Sequence, residues 1–593
     1  MGDVNNKMVF NSSKKTRKLI GVVISLTVLY FLRVINLEQD LPPWGIANYQ
    51  PMDEGQYATM AINEYKYHSF RPDLQLTDIN FDTNAHVRND LVGNIAVYIG
   101  LLVFGNTYYG LRMGSVLFGF LNIVLLVLGL FHFYKKGEKN KFNNIVFLGL
   151  VVYSILDFIY FIASRTMETT IYRLFFLLLI LNVYLWLEEK NKLRFLIMGI
   201  LSIVAIFMVY ITNVFIFAAC LALCTIFLDF KDKTEYYDSM SNYFAGCGVG
   251  FVMCDFYYYA AWGTSCVQNT FKIISDFSSN DYYVNTNIWE SISSNLKGLL
   301  GANINIYNIS IITMVLLSVP FLLNIIKKEK NDQICFILLI FICYILQTLV
   351  SEDFVIRKFI LVYPLLLILL YYTFLRRKNW LGIFNNLGKK QRFMYASYSL
   401  AVILLSFYVI GSRLIWSGDD SLNDFHRIDI ILIVSISIME IILIATCITY
   451  MLNKRIKENY ILTCIISCLV LGIILNQYMT TKYILLNPTF TEKQIMVDLQ
   501  KDVGDNYLFG GFAIGFSLYN DTKPVTGSYE ALNKMVENHE GAYYLDYKLR
   551  EDSVLDFIMN TSKTTWQVHS SYNRNFSVYG EKKGIGVWKI IEK

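Results

Sequence analysis

The sequence predicts an α-helical polytopic membrane protein of about thirteen transmembrane helices, followed by a small extracytoplasmic α/β domain. Three observations predict it. Hydrophobic residues make up 55% of the 593 residues and charged residues only 17%, where soluble chains carry about a quarter. The apolar residues gather in runs of roughly 17–25, the length that crosses about 30 Å of hydrocarbon. The basic residues between the runs fall in every second connection.

In chain order the spans are expected near 18–36, 107–134, 144–163, 168–187, 193–210, 212–229, 242–262, 305–326, 334–350, 355–376, 393–415, 428–452 and 459–480. Lys14, Lys15, Arg17 and Lys18 precede the first, but Asn36-Leu-Glu-Gln-Asp offers no small-residue cleavage site. That run therefore reads as a retained anchor with a cytoplasmic N-terminus. The connections then expected inside carry Lys135-Lys136, Glu188 to Arg194, Lys327 to Lys330, Arg376-Arg377-Lys378 with Lys389-Lys390, and Lys454-Arg455 with Lys457. An odd number of spans puts the C-terminus outside. This makes residues 1–486 a transmembrane domain with large outer loops at 37–106 and 263–304, and residues 487–593 an outer domain. The expected location is a cell membrane, and abundant Asn, Lys, Ile and Tyr suggest a bacterial one.

The net charge of +5 is accounted for by inner-face lysines and gives no reason to expect a nucleic-acid partner. No phosphate-binding glycine loop follows a strand, which argues against an ATP-driven pump. The ten cysteines form no CxxC pair, and only Cys266 falls near the outer face, so a disulfide-held secreted domain is not expected.

The tail alternates short strand-like and helix-like stretches, as a small α/β domain does. A helix is expected from Thr491, with Thr491 as its cap and Ile495, Val497 and Leu499 within it. Strands are expected at Tyr507–Phe509, Phe516–Tyr519, Ala542–Leu545, Thr565–Val568, Phe576–Tyr579 and Val587–Ile590, with helices near 528–538 and 550–560.

Three features bear on chemistry. In the first outer loop the chain turns helical after Pro51, placing Asp53 and Glu54 in a first turn and Tyr57 on the following one. A helix N-terminus favours ionised carboxylates, and such a group can accept a proton from a hydroxyl; stabilising the helix start is the plainer role. Glu168 lies in the tight turn between the third and fourth spans, three residues after Arg165. Acids at that height are costly and are often functional, although pairing with Arg165 would also account for it. Asp157, deeper in the third span, reads as a satisfied bundle residue. The third feature is Arg357 and Lys358, which open the tenth span from the outer side, ahead of Tyr363-Pro364. Cations there suit a lipid-borne phosphate or simply neutralise Glu352 and Asp353.

Taken in order, the anchor, the loop opening with Asp53-Glu54, the acid after Arg165, and the run Val103-Phe-Gly-Asn-Thr-Tyr-Tyr-Gly-Leu-Arg112-Met-Gly-Ser-Val-Leu-Phe-Gly119 resemble the GT-C membrane glycosyltransferases. Closest is the group of protein O-mannosyltransferases and lipid A aminoarabinose transferases, which Arg357 to Pro364 also resembles. The resemblance implies inverting transfer of a sugar from a polyprenyl-phosphate donor to a cell-envelope acceptor, whether glycan, teichoic-type polymer, lipid or protein. It implies Asp53 as base, Glu54 assisting or orienting it, and Glu168 where the group more often has Asp. Arg357, with Lys358 and Arg165, would hold the donor phosphate. Arg88 or His86 would replace a basic residue that the group places before Pro-Pro, a motif missing from Asn84-Ala-His86-Val-Arg88. Tyr57, His86 and Tyr363 are the expected substrate contacts.

Two other classes fit the composition. A transporter or flippase would have internal repeats and charges near the bilayer midplane, and neither is evident. A non-catalytic envelope-assembly scaffold would need the tail but not the acids. Asp53 and Glu168 have the chemistry to accept a divalent metal ion, though no spacing demands one.

Overall fold

The computed structural model describes residues 20–40, 50–70, 91–138, 140–167, 169–187, 192–223, 233–278, 332–350, 360–378, 458–486, 488–510, 513–525, 542–547, 566–578 and 581–592, with short helical pieces near 289–293, 317–319 and 388–404. The chain is mostly helical. The helices are α1 (Ile20–Val34), α2 (Gln50–Tyr67), α3 (Leu91–Phe104), α4 (Tyr108–Lys136), α5 (Lys141–Leu156), α6 (Phe158–Ala163), α7 (Thr169–Trp186), α8 (Lys192–Met208), α9 (Val214–Ala222), α10 (Lys233–Trp262) and α11 (Cys266–Ser278). They continue as α12 (Asp332–Val350), α13 (Tyr363–Leu375), α14 (Glu458–Thr480), α15 (Thr491–Asp502) and α16 (Ala513–Phe516). Among the described residues, Tyr108–Lys136, Thr169–Trp186 and the stretch Ile465–Asp502 are long and apolar enough to cross a membrane, and shorter apolar helices pack around them. The spans expected near 305–326 and 428–452 lie largely outside the described residues.

α4 shows why these segments are helical and where they stop. The Thr107 side chain accepts a hydrogen bond from the Gly110 N–H at 3.1 Å, capping the start. Lys135 and Lys136 occupy the last turn, where the helix dipole favours cations. Its 29 residues at 1.5 Å each span roughly 43 Å, enough to cross the hydrocarbon with a turn to spare at each side.

The connections expected on one side do gather at one end of the bundle. Lys378 bonds Glu138 at 2.6 Å, Arg377 donates to Asn143 Oδ1 at 2.7 Å, Lys136 to Gln333 Oε1 at 3.0 Å, and the Tyr184 hydroxyl to Asp332 at 2.6 Å. This basic end joins four loops far apart in sequence.

Two segments depart from expectation. The third span is not one helix: α5 and α6 break at Asp157, whose carboxylate accepts the Tyr160 N–H at 2.7 Å, while Asn476 Oδ1 accepts the Phe158 N–H at 2.9 Å. Side chains thus satisfy the amides that the break releases, as an apolar surrounding requires. The expected first outer loop contains α3, an apolar helix of 14 residues, shorter than a span and so missed by a span-length window. α3 lies directly on α4 because Gly110 and Gly114 have no side chain in the way; a Cβ on Gly114 would come within 2.7 Å of the Ala96 carbonyl.

At the other end sits a five-stranded mixed sheet, order β2-β1-β3-β5-β4, made of β1 (Tyr507–Phe509), β2 (Lys523–Val525), β3 (Ala542–Tyr547), β4 (Trp566–Val578) and β5 (Glu581–Glu592). β1 runs parallel to β2 and β3, whereas β5 is antiparallel to β3 and β4. The strand expected at Phe516–Tyr519 is instead the end of α16 and the turn after it, because Ala513, Ile514 and Phe516 bury themselves against helices. β2 had no expected counterpart, and β4 continues through what the sequence divides into two strands. The helices expected near 528–538 and 550–560 lie outside the described residues.

The sheet is not an appendage. One apolar cluster joins Ala58, Ala61 and Ile62 of α2, Val97 and Leu101 of α3, Leu111 of α4, Met167, Ile495 and Leu499 of α15, Ile514 of α16 and Leu545 of β3. Gly55 permits the closest approach, since a Cβ there would lie 2.2 Å from Ile514 Cγ2 and 2.9 Å from the Gly515 nitrogen.

Candidate active site

α2 begins at Gln50 with Pro51 next, a residue whose missing N–H costs nothing in a first helical turn. Asp53 and Glu54 follow in that turn, as the sequence suggests. The Glu54 carboxylate is buried and held bidentately by Arg112, Nε to Oε1 at 3.1 Å and Nη2 to Oε2 at 2.8 Å. Arg112 Nη1 donates in addition to the carbonyls of Leu37 at 2.7 Å and Gln39 at 2.8 Å, and its guanidinium stacks 4.5 Å from the Tyr108 ring centroid. A charge buried this deeply is tolerated only when paired and hydrogen-bonded on all sides, and both partners meet that condition.

Glu54 Oε1 also accepts the Met167 N–H at 3.2 Å. This bond matters because Met167 precedes Glu168 and Glu54 follows Asp53. Two acids that the sequence separates by more than a hundred residues are thereby attached to backbone turns in direct contact. The side chain of Asp53, and residues Glu168, Arg88, His86, Arg357 and Lys358, lie outside the described residues. Tyr57 is half-buried one turn beyond Asp53.

Arg165 reaches the segment after α1. Its guanidinium donates to the Asn36 carbonyl just after α1 and lies 5.3 Å from the Phe161 ring centroid. Asn36 in turn donates to the Ile484 carbonyl at 2.8 Å. Tyr363 is not brought to this site. Pro364 starts α13 beside it, so Tyr363 is only 8% exposed and shares a small cavity with Asn122, Tyr153, Asp157 and Tyr160.

The sequence reading missed Asp40 and Glu492. Asp40 accepts the N–H groups of Thr491 at 2.8 Å and Glu492 at 3.0 Å, and its own N–H donates to the Thr489 carbonyl at 2.9 Å. The cap of α15 is therefore a carboxylate from the loop after α1, not Thr491. Burial pushes the Asp40 carboxyl up, and those two backbone N–H bonds pull it partly back. Glu492 is held well above the usual carboxylate range by burial and by the Asp40 charge, against the opposing pull of Arg112. Three carboxyls thus surround one arginine. Nothing local marks Asp40 or Glu492. Arg112 carried a visible signal, a cation one turn into an apolar helix.

Among the described residues, no group of three or more His, Cys, Asp or Glu side chains is arranged to hold a metal ion.

No protein-family model and no curated protein sequence matches the chain. Solved structures do. The crystal structure of ArnT from Cupriavidus metallidurans in the apo state superposes with a TM-score of 0.53, over 96% of this chain and 98% of that one, at 10% identity. The chain shares the ArnT fold. The structure of ArnT bound to undecaprenyl phosphate superposes over the same shares with a TM-score of 0.51. The likeness to ArnT covers helices and sheet together, the fold that the resemblance read from the sequence implied. Identity this low carries the fold alone, and a choice of mannose as the sugar has no support from it.

Proposed function

We propose that the protein is an inverting glycosyltransferase that moves a sugar from a polyprenyl-phosphate donor to a cell-envelope acceptor at the outer membrane face. One observation carries the reading. The Glu54 carboxylate, locked by Arg112, accepts the Met167 N–H, so the turns bearing Asp53 and Glu168 meet within a fold shared with a protein captured with undecaprenyl phosphate.

In this reading Asp53 takes the proton of the acceptor hydroxyl as its oxygen attacks the anomeric carbon. The bond to the carrier phosphate breaks on the opposite face, and the released lipid phosphate carries away the negative charge. Glu54 is a positioning residue, since its oxygens are occupied by Arg112 and Met167. Glu168 is assigned to the acceptor or donor sugar. Arg357 and Lys358 are assigned to the phosphate as charge develops there, an effect that commonly dominates such catalysis. Arg88 or His86 would add a further donor. The acceptor face would be bounded by the C-terminal domain, whose α16 packs on α2 through Ile514 and Gly55.

The test is incubation of purified protein in nanodiscs with radiolabelled polyprenyl-phosphate sugars and a membrane extract. We expect a labelled envelope product from the wild type. Asp53→Asn should lower transfer by about 100-fold or more with thermal stability unchanged. Full activity in that variant would overturn the assignment, and ion-coupled transport without a glycosyl product would favour a transporter.

A further inference from the structure

Arg173 sits four residues after Thr169, roughly 6 Å along α7 from the turn whose Met167 N–H bonds Glu54. Its side chain is buried, at 3% exposure. Gln347 and Tyr344, near the end of α12, and Tyr210, between α8 and α9, stand around it. Tyr210, Thr212 and Gln347 are half-buried, so the group borders the bundle surface at this level.

The plain account is a structural cation pinning α7 to α12. Its bonding is poor for that task. Nη2 donates to Gln347 Oε1 at 3.3 Å, longer than the common range of roughly 2.7–3.2 Å. Nε is buried without a hydrogen-bond partner, and among the described residues no carboxylate pairs with the guanidinium. The nearby Tyr344 hydroxyl, which donates to Asn213 Oδ1 at 3.3 Å, supplies no counter-charge. Two other buried arginines are better served. Arg33 donates to Ser164 Oγ at 2.9 Å and to the Ile155 carbonyl at 2.6 Å. Arg112 grips the Glu54 carboxylate with Nε and Nη2. The same edge of Arg173 is free at Nε and loosely held at Nη2.

A buried charge without a counter-charge is costly, and cations inside membrane bundles commonly mark the path of a charged ligand. The open edge presents two parallel donors, the geometry that phosphate oxygens accept. We propose that the Nε–Nη2 edge of Arg173 binds the phosphate of the polyprenyl-phosphate carrier, displacing the Gln347 amide. This role rests on the transfer reaction proposed above and gives that reaction a phosphate ligand on α7, the helix that follows Glu168. As the bond between the anomeric carbon and the carrier oxygen breaks, its electron pair stays on the phosphate, where the guanidinium offsets the added negative charge.

Delipidated full-length protein, titrated with a polyprenyl phosphate and with the polyprenol of the same chain length, would be followed by native mass spectrometry. Arg173→Gln should weaken binding of the phosphate by about 10- to 100-fold and leave binding of the alcohol unchanged, a discrimination that a purely structural arginine would not alter. Arg173→Lys, which keeps the charge but not the paired edge, should fall between. Gln347→Ala leaves the guanidinium in place and removes its competing amide, so it should tighten phosphate binding even if the Arg173 variants fold poorly. Equal losses for phosphate and alcohol, no loss for the phosphate, or weaker phosphate binding in Gln347→Ala overturns the proposal. Arg173-dependent phosphate binding without any sugar transfer would keep the phosphate site and remove the transfer reading instead.

Discussion

Arg112 and Glu54, 58 residues apart in sequence, form a bidentate ion pair in which both side chains are almost fully buried. The pair fastens the first turn of α2 to the start of α4 and, through Met167, to the turn before α7. Three backbone segments are thereby held at one point beside the proposed catalytic acid.

Removing one partner strands the other. Arg112→Met should destabilise the protein by about 3–5 kcal/mol, because Glu54 remains buried without its counter-charge. Combining it with Glu54→Leu should recover most of that loss, since an apolar pair of similar volume is commonly neutral. Thermal unfolding in detergent reads both values. A single variant as stable as wild type would mean that the pair holds nothing together.

The tertiary cap makes a sharper contrast. Asp40→Ala should cost about 1–2 kcal/mol and speed amide exchange at the first turn of α15, whose N–H groups Asp40 accepts. Thr491→Ala should stay within about 0.5 kcal/mol of wild type. Hydrogen exchange of the 491–502 segment distinguishes the two.

Glu492 gives a pH dependence. Its folded carboxyl titrates well above the ordinary value of 4.5, so above that pH the native state keeps a proton that the unfolded chain releases. Stability then falls as pH rises from about 4.5 toward the folded value. Glu492→Gln, which mimics the protonated acid, should raise the melting temperature near neutral pH and flatten the slope. A residual slope of the same sign is expected from Asp40, whose carboxyl is also raised. An unaltered slope in the variant would rule out Glu492 as its source.

Glu168 tests the reach of the proposed site. Glu168→Gln should reduce transfer by about 100-fold, and Glu168→Asp should retain measurable activity despite being one methylene shorter. Measuring the rate at saturating donor, alongside melting temperature, separates a chemical loss from a folding one. Equal activity in wild type and Gln variant would remove Glu168 from the mechanism.

The parts legible in sequence were those governed by local composition. Membrane-length apolar runs at 108–136 and 169–186, the helix after Pro51, the basic clusters that meet at Lys136 and Lys378, and most strands of the tail follow from hydropathy, charge and periodicity. The ordered acids also disclosed the fold, because their spacing matches a topology rather than a single helix. The helix break at Asp157 was less visible, since Asn476 from a distant helix satisfies the backbone there.

What sequence alone determined is therefore a helical membrane protein with a terminal sheet and an Asp-Glu turn. Only the tertiary structure decided which groups meet: Glu54 with Arg112 and Met167, Asp40 with α15, and Gly55 with Ile514. The physical reason is that periodicity records whether a side chain is buried but not what it is buried against. A buried charge or an uncapped helix end finds its partner through the packing of elements hundreds of residues apart.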